Sequence, residues 1–283
     1  MSALAQAKSI ESNVFNGVVE ALHRQRTQQV DATLHQLRGQ LALIYLNAKA
    51  LHKDYATCQM GLGLAAMGLG NHGEAKRQIT NALQLNTADD HIVCNALSAL
   101  TDMGYVREAN ALSSSLLPTA KGSRNVLKHM LGCFADTFDF EHAIEVVDAI
   151  VNITHPSEPI RAEALSRRPL YEELLRIAKE EKLDHEALLL RIEAVVEALK
   201  ASRHNVYRVD LLGTMPLATS LHIHVDASSP ECAELQYVVV EALIDRFENT
   251  AVEVAPITIR SFTGRPDVLS KARPLNLIRS ASV

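Results

Sequence analysis

Two histidines and an aspartate in the last third of the chain have the spacing of a metal-binding motif, His222-x-His224-x-Asp226. Side chains two residues apart in a β-strand point to the same side of the sheet. His222 and His224 can therefore offer two imidazole nitrogens to one metal ion, with Asp226 as a third candidate ligand. Such a site would suit a metal-dependent hydrolase.

The same segment also has a structural interpretation. Residues 220–226 alternate, with Leu221, Ile223 and Val225 on one side and polar residues on the other, which is typical of a strand with one solvated face. A hydrolase needs further His, Asp or Lys ligands on later strands, and too few strands follow. We therefore expect a polar strand surface with no metal and no other cofactor, and a metal-dependent enzyme is the alternative hypothesis.

Other groups of reactive residues do not indicate an enzyme. Asp136, Asp139 and His142 cluster at a predicted turn, where polar residues are expected anyway. The chain has no G-x-x-x-x-G-K-[ST] loop, no G-x-G-x-x-G after a strand and no G-x-S-x-G elbow. Its cysteines form no C-x-x-C pair, which predicts buried, reduced thiols. They are Cys58, Cys94, Cys133 and Cys232.

Composition and charge narrow the class of protein. The chain has 283 residues, of which 47% are hydrophobic, and its abundance of Ala and Leu favours packed helices. A net charge of -5 gives no overall attraction to nucleic acid or to an anionic membrane. The apolar stretches are shorter than the ~20 residues that span a bilayer. The N-terminal sequence lacks a secretory signal pattern, so we expect a cytoplasmic protein.

The central part of the chain repeats in the segments 56–89, 90–123 and 124–157. Corresponding positions are 34 residues apart. The clearest shared columns hold Ala75, Ala109 and Ala143, and then Gly70, Gly104 and Phe138. This is the period of helix–turn–helix solenoids, in which each helix pair buries its apolar face against its neighbours.

Residues 61–85, GLGLAAMGLGNHGEAKRQITNALQL, resemble a tetratricopeptide repeat (TPR). The matching positions are Leu62 and Gly63 in the first helix, Gly70 at the turn, and Ala75, Ile79 and Ala82 in the second helix. The family's Trp and Pro positions hold Gln59 and Thr87, and the second and third segments diverge further but stay in register. The resemblance implies an array of helical hairpins over residues 56–157.

In TPR arrays the first helix of each unit lines a concave groove that holds a peptide or a helix. The resemblance implies groove positions Thr57, Met60, Leu64 and Met67, then His91, Cys94, Ser98, Thr101 and Asp102, then Asn125, Lys128 and Asp136. The first set is apolar and rich in Met, which suits an adaptable hydrophobic contact. Alternatively, residues 1–52 fold back and fill this apolar end. Three-repeat secretion chaperones are one related subclass.

Helices are also predicted on both sides of the repeats, at 4–52 and 157–201, which gives a helical array over residues 1–202. Apolar residues at three- and four-residue steps indicate the helices, one of them at 29–52. Arg167, Arg168 and Pro169 predict a break in the second flanking region, and Asp184 predicts the cap of its last helix.

The pattern changes after residue 202. Two β-prone runs, a helix from Ser229 to about Glu248 and a last strand interrupted at Pro256 predict a small β-β-α-β domain at 203–262. We expect it to pack on the array or to associate with a second copy, because so small a domain buries little surface alone. Residues 263–283 have a basic excess and predict a flexible tail. A regulator that binds nucleic acid through this tail is a further alternative.

The sequence therefore predicts a mostly α-helical protein, in which a TPR-like solenoid precedes a small α+β domain. The predicted function is that of an adaptor or chaperone-like scaffold. It would bind a peptide or helix of another protein in the groove, without catalytic residues, and without binding a membrane or nucleic acid.

Overall fold

A computed structural model of the chain describes residues 10–24, 54–120, 122–214, 218–250 and 256–262. Over these ranges the chain is mostly helical, with ten helices and one three-stranded sheet, which confirms the predicted mostly α-helical class. The helix predicted at 29–52 and the tail predicted at 263–283 lie outside the described residues. No helix in the described part combines the length and apolar character needed to cross a bilayer.

The elements have the following bounds. The helices are α1 (Ile10–Arg24), α2 (Tyr55–Gly68), α3 (His72–Leu85), α4 (Asp90–Asp102), α5 (Val106–Ala120), α6 (Arg124–Asp136), α7 (Phe140–Ile153), α8 (Pro159–Glu180), α9 (His185–Ala201) and α10 (Ser229–Arg246). The strands are β1 (Val206–Thr214), β2 (Ala218–Val225) and β3 (Ile257–Ser261).

Contacts divide the chain into two compact units, and the division falls inside α4, after Ala99. The first unit contains the described residues 10–24 and 54–99, and the second contains those from 100 to 262. The predicted boundary at 202–203 therefore lies within the second unit.

In the first unit, α2 and α3 form a closely packed antiparallel pair. A Cβ atom placed on Gly63 would lie 2.7 Å from Ile79 Cγ1 and 3.2 Å from the backbone oxygen of Ala75. Real Cβ atoms do not approach so closely, so glycine is needed at this point of contact. The facing side chains of Ala75, Ile79 and Ala82 are completely buried.

The turns between paired helices share one backbone feature. Gly70, Gly104 and Phe138 have φ angles of 76°, 75° and 62°. These positions form one column of the 34-residue period, and all three adopt the left-handed conformation that glycine tolerates best. Phe138 adopts the left-handed conformation although it has a large side chain. Its ring is buried, and the ring centroids of Phe138 and Phe140 are 5.9 Å apart.

The predicted break at Arg167, Arg168 and Pro169 is wrong, because α8 runs through Pro169 without interruption. Proline removes one hydrogen bond from the helix, a local cost that tertiary packing can outweigh. Here α8 packs along α7, and Tyr171, two residues after Pro169, is 1% exposed and stacks on Phe140. Arg168 adds ion pairs to Asp148 and Glu172.

In the second unit, β1 pairs antiparallel with β2, and β2 pairs parallel with β3. Leu221, Ile223 and Val225 of β2 are completely buried, whereas His222 and His224 are half-buried, which confirms the predicted alternation. The predicted helix ends are also confirmed at Asp184, which accepts a hydrogen bond from Ala187 N at 2.8 Å, and at the start of α10. α10 lies between β2 and β3 in the chain and contacts β3 and α9.

Two glycines provide a matched test of the left-handed turn conformation at Gly104. In Gly104→Ala the new Cβ would lie 3.0 Å and 3.1 Å from the two Cγ atoms of Val196, at a positive φ, so we expect a loss of about 1–3 kcal/mol in the free energy of unfolding. Gly132 lies inside α6 with nothing within 4 Å of a new Cβ, so Gly132→Ala should add about 0.5–1 kcal/mol. Urea unfolding measures both. Equal effects of the two changes would contradict the assignment of Gly104 to a constrained turn.

Candidate functional site

Most of the predicted groove residues lie inside the fold. In the first unit Thr57, Met60, Leu64, Met67, His91 and Cys94 are buried, and Ser98 is half-buried. In the second unit Thr101, Asp102 and Asp136 are buried, whereas Asn125 and Lys128 are exposed. Of the twelve positions, only these last two are open to solvent.

Helix α1 lies against the helix that carries the predicted apolar end. It packs against α2, and its residues Phe15, Val18, Val19 and Leu22 are at most 1% exposed. These residues follow the i, i+3, i+4, i+7 spacing of one helix face. The ring of Phe15 meets that of His91 edge-on, with centroids 5.4 Å apart. Residues 10–24 therefore pack against α2 and contact His91, one of the predicted groove positions.

The polar groove residues of the first unit are held by internal contacts. The Thr57 hydroxyl lies 3.3 Å from His91 Nε2 and also donates to the carboxylate of Asp54, the residue that caps α2. The other ring nitrogen of His91 is 2.7 Å from the carboxylate of Asp89. Thr57 and His91 differ by one repeat period, so equivalent positions of two successive segments meet here.

Two of the predicted groove residues in the second unit bind a strand of the same chain. Asp136 Oδ1 accepts a hydrogen bond of 2.7 Å from Leu211 N, and the carboxylate of Asp102 accepts one from Val209 N. β1 is an edge strand of the sheet formed by the described residues, and the N–H groups on its outer side need acceptors other than a strand. Asp102 and Asp136 end α4 and α6, one repeat period apart, and together they cap alternate N–H groups of this edge.

These carboxyl groups have strongly altered acidity. Burial raises the pKa of Asp102 and of Asp136 well above the ordinary aspartate value, and the nearby Asp210 carboxylate raises both further. Burial also raises the pKa of Asp210, and its ion pair with Arg208 opposes this rise. Three buried carboxyls whose pKa values are raised therefore lie together at the sheet edge.

The histidine motif is not assembled into a metal site. The rings of His222 and His224 are 6.4 Å apart, while Asp226 accepts a hydrogen bond from Asn205 N at 2.9 Å and lies 3.2 Å from His204 Nδ1. Among the described residues, no three His, Cys, Asp or Glu side chains are grouped to hold a metal ion.

The neighbours of the two histidines on the sheet are also unfavourable to a cation. Burial and Arg208 lower the pKa of His224 to about 3, and burial and Arg260 lower that of His222. Guanidinium groups beside the imidazoles repel a metal ion by the same electrostatic effect that disfavours the imidazolium form.

The acidic cluster and the cysteines have structural roles. Asp139 caps α7 through His142 N and accepts a hydrogen bond from Asn110 Nδ2 at 3.0 Å. The four cysteines are free and buried, as predicted. Burial raises the pKa of Cys94 to about 12 and that of Cys133 to about 11, so these thiols stay protonated and are poor nucleophiles.

The sequence analysis did not predict one exposed apolar surface, on α10. Tyr237, Val240 and Ile244 of α10 are exposed, and their i, i+3, i+7 spacing in the sequence was an available signal for a second apolar helix face.

Comparisons of the chain with protein-family models, with curated proteins and with solved structures find no match. Its function is therefore inferred from the geometry of its own residues.

The cap on the β1 edge predicts a pH-dependent stability. The pKa of Asp136 lies above its unfolded value of 3.8, so the folded chain binds more protons and its free energy of unfolding falls as pH rises above that value. Asp136→Asn keeps an acceptor for Leu211 N–H and cannot ionise. The variant should therefore gain stability relative to wild type as pH rises from about 5 to about 8.

The matched control is Asp184→Asn, an exposed helix cap at which Asn also accepts a hydrogen bond. Unlike Asp136, Asp184 is exposed, so this variant measures the effect of replacing an Asp cap by an Asn cap. Asp136→Ala, which leaves Leu211 N–H unpaired, should be about 1–3 kcal/mol less stable than Asp136→Asn at every pH, because neither variant has the titrating carboxyl. Urea unfolding at each pH measures these differences, and a constant difference for Asp136→Asn would contradict the buried-carboxyl account.

Proposed function

We propose that this protein is a protein–protein interaction scaffold built on TPR-like helix pairs, and that a partner binds as an amphipathic helix on the face of α2 that α1 covers. The observation that carries the proposal is the packing of α1, through one continuous apolar stripe, against α2. This function requires no cofactor and no catalytic residue.

The α2 face suits such a ligand. A helix laid in an apolar groove is recognised through side chains at i, i+3, i+4 and i+7, and Phe15, Val18, Val19 and Leu22 of α1 have this spacing. Met60 and Met67 have flexible side chains that can adapt to another set of anchors. The face is therefore chemically able to accept a second helix of the same pattern.

In this proposal α1 and the partner helix compete for one site. Because α1 belongs to the same chain, its effective concentration at α2 exceeds that of a free partner. A partner must therefore bind α2 more tightly than α1 does, or bind when α1 is released. Weakening α1 should raise the apparent affinity for the partner without any change in the groove itself.

The competition is testable with a labelled synthetic peptide of residues 10–24. In Val18→Glu Leu22→Glu, two buried α1 positions become charged, so α1 should leave the α2 face. We expect the peptide to bind this variant at least about tenfold more tightly than wild type, measured by fluorescence anisotropy. The matched control is Leu85→Glu, which charges a side chain of the same unit that is already 55% exposed and should not change peptide binding.

A natural partner is then sought by affinity purification from the native host with the same three proteins. The partner should be enriched by the Val18→Glu Leu22→Glu protein and released by excess peptide of residues 10–24. Circular dichroism checks that each variant is folded. If the folded variant binds neither the peptide nor a larger amount of any protein than wild type does, the α2 face is not the binding site.

A further inference from the structure

Helix α10 carries an unusual concentration of exposed apolar side chains. Tyr237 is 75% exposed, Ile244 62%, Val240 43% and Val238 37%. Only four other large hydrophobic residues in the described part of the chain are exposed, and they lie on four different helices. Contiguous apolar surface of this kind marks an interaction site more often than scattered single residues do.

The exposed residues form one stripe on the outer face of the helix. Tyr237, Val240 and Ile244 are three, four and seven residues apart, which places them side by side along successive turns. The opposite face of α10, with Leu235, Val239 and Leu243, is buried in the second unit, where α10 contacts α9 and β3. The outer stripe is thus additional to the face that holds α10 in the fold.

A row of carboxylates borders this stripe. Glu234 and Glu241 lie one turn before and one turn after Tyr237, and Asp245 follows Ile244. All three are exposed, and none forms an ion pair within the described ranges. The one basic residue of α10, Arg246, is paired with Glu197 at 2.6 Å. The border of the stripe therefore carries uncompensated negative charge.

We propose that the outer face of α10 binds a basic amphipathic helix of another protein. Apolar side chains of that helix would cover Tyr237, Val240 and Ile244, and its Lys or Arg side chains would lie opposite Glu234, Glu241 and Asp245. Charge complementarity selects this ligand, because the carboxylates attract a cationic border and repel an anionic one. This surface lies in the second unit, and the proposal does not depend on the binding of a partner at the α2 face.

The same charges disfavour a second copy of this chain as the occupant. A symmetric contact through α10 would bring identical carboxylate rows into one interface, with Arg246 already paired. Like charges that face each other across an interface are costly. The self-association that the sequence predicts for this region is therefore not the arrangement that the surface favours.

The test uses a synthetic helical peptide of Leu and Lys, with Leu along one face, and the full-length chain. Isothermal titration calorimetry should show saturable one-to-one binding. Tyr237→Ser Ile244→Ser should weaken binding at least about tenfold, because the two largest anchors are removed. Glu234→Gln Glu241→Gln should weaken it about two- to fivefold and reduce its dependence on salt.

The matched control is Leu165→Ser Leu190→Ser, which removes two exposed leucines from α8 and α9 and should leave the affinity unchanged. A peptide of the same composition in scrambled order should not bind with one-to-one stoichiometry. A second control peptide has Glu in place of every Lys. Equal binding of this Leu–Glu peptide, or equal binding of the Leu–Lys peptide to the Tyr237→Ser Ile244→Ser protein, would overturn the proposal.

Sedimentation of the chain without peptide tests the competing occupant. We expect no change in molecular mass between wild type and Tyr237→Ser Ile244→Ser. A wild-type dimer that this double variant converts to a monomer would assign the α10 surface to a second copy and overturn the proposed basic partner.

Discussion

The carboxylates of Asp102 and Asp136 connect the helices of the second unit to its sheet. Each carboxylate accepts a hydrogen bond from a backbone N–H group on the outer edge of β1. Asp102 is the last residue of α4 and Asp136 is the last residue of α6, the first helices of two successive repeating segments. The opposite edge is closed in a similar way, since the side-chain amide of Gln236 bonds to Ile257 O at 3.0 Å and to Ile259 N at 2.9 Å. Both edges of the small sheet are thus protected from pairing with other strands.

This arrangement explains why predicted groove positions became part of the core. Asp102 and Asp136 offer hydrogen-bond acceptors at the ends of α4 and α6, and in the second unit the backbone that they bond is β1. In the first unit α1 similarly covers α2, with Phe15 against His91. The chain therefore contacts several of the predicted groove positions with one helix and one strand of its own, and under the proposed function a partner uses a released or a different face.

Much of the local structure followed from the sequence, and most of the tertiary roles did not. Helix starts at Asp184 and Ser229 and the alternation in β2 depend on nearest neighbours, so they were predictable. The continuity of α8 through Pro169 depends on packing against α7, which local rules ignore. The spacing of Asp102 and Asp136 was visible, but their bonds to β1 join residues far apart in the chain, and no local pattern encodes that contact.

The left-handed turn at Phe138 links backbone shape to core volume. Two equivalent turns use Gly70 and Gly104, whereas the third places an aromatic ring in the interior against Phe140. Replacing Phe138 by glycine would relieve the backbone strain and leave a cavity where the ring had been. A larger side chain at position 140 could fill that cavity, but only in a chain that already has the smaller residue at 138. Substitutions at 138 and 140 should therefore be strongly non-additive, and evolutionary change at this corner of the fold would need both positions to vary together.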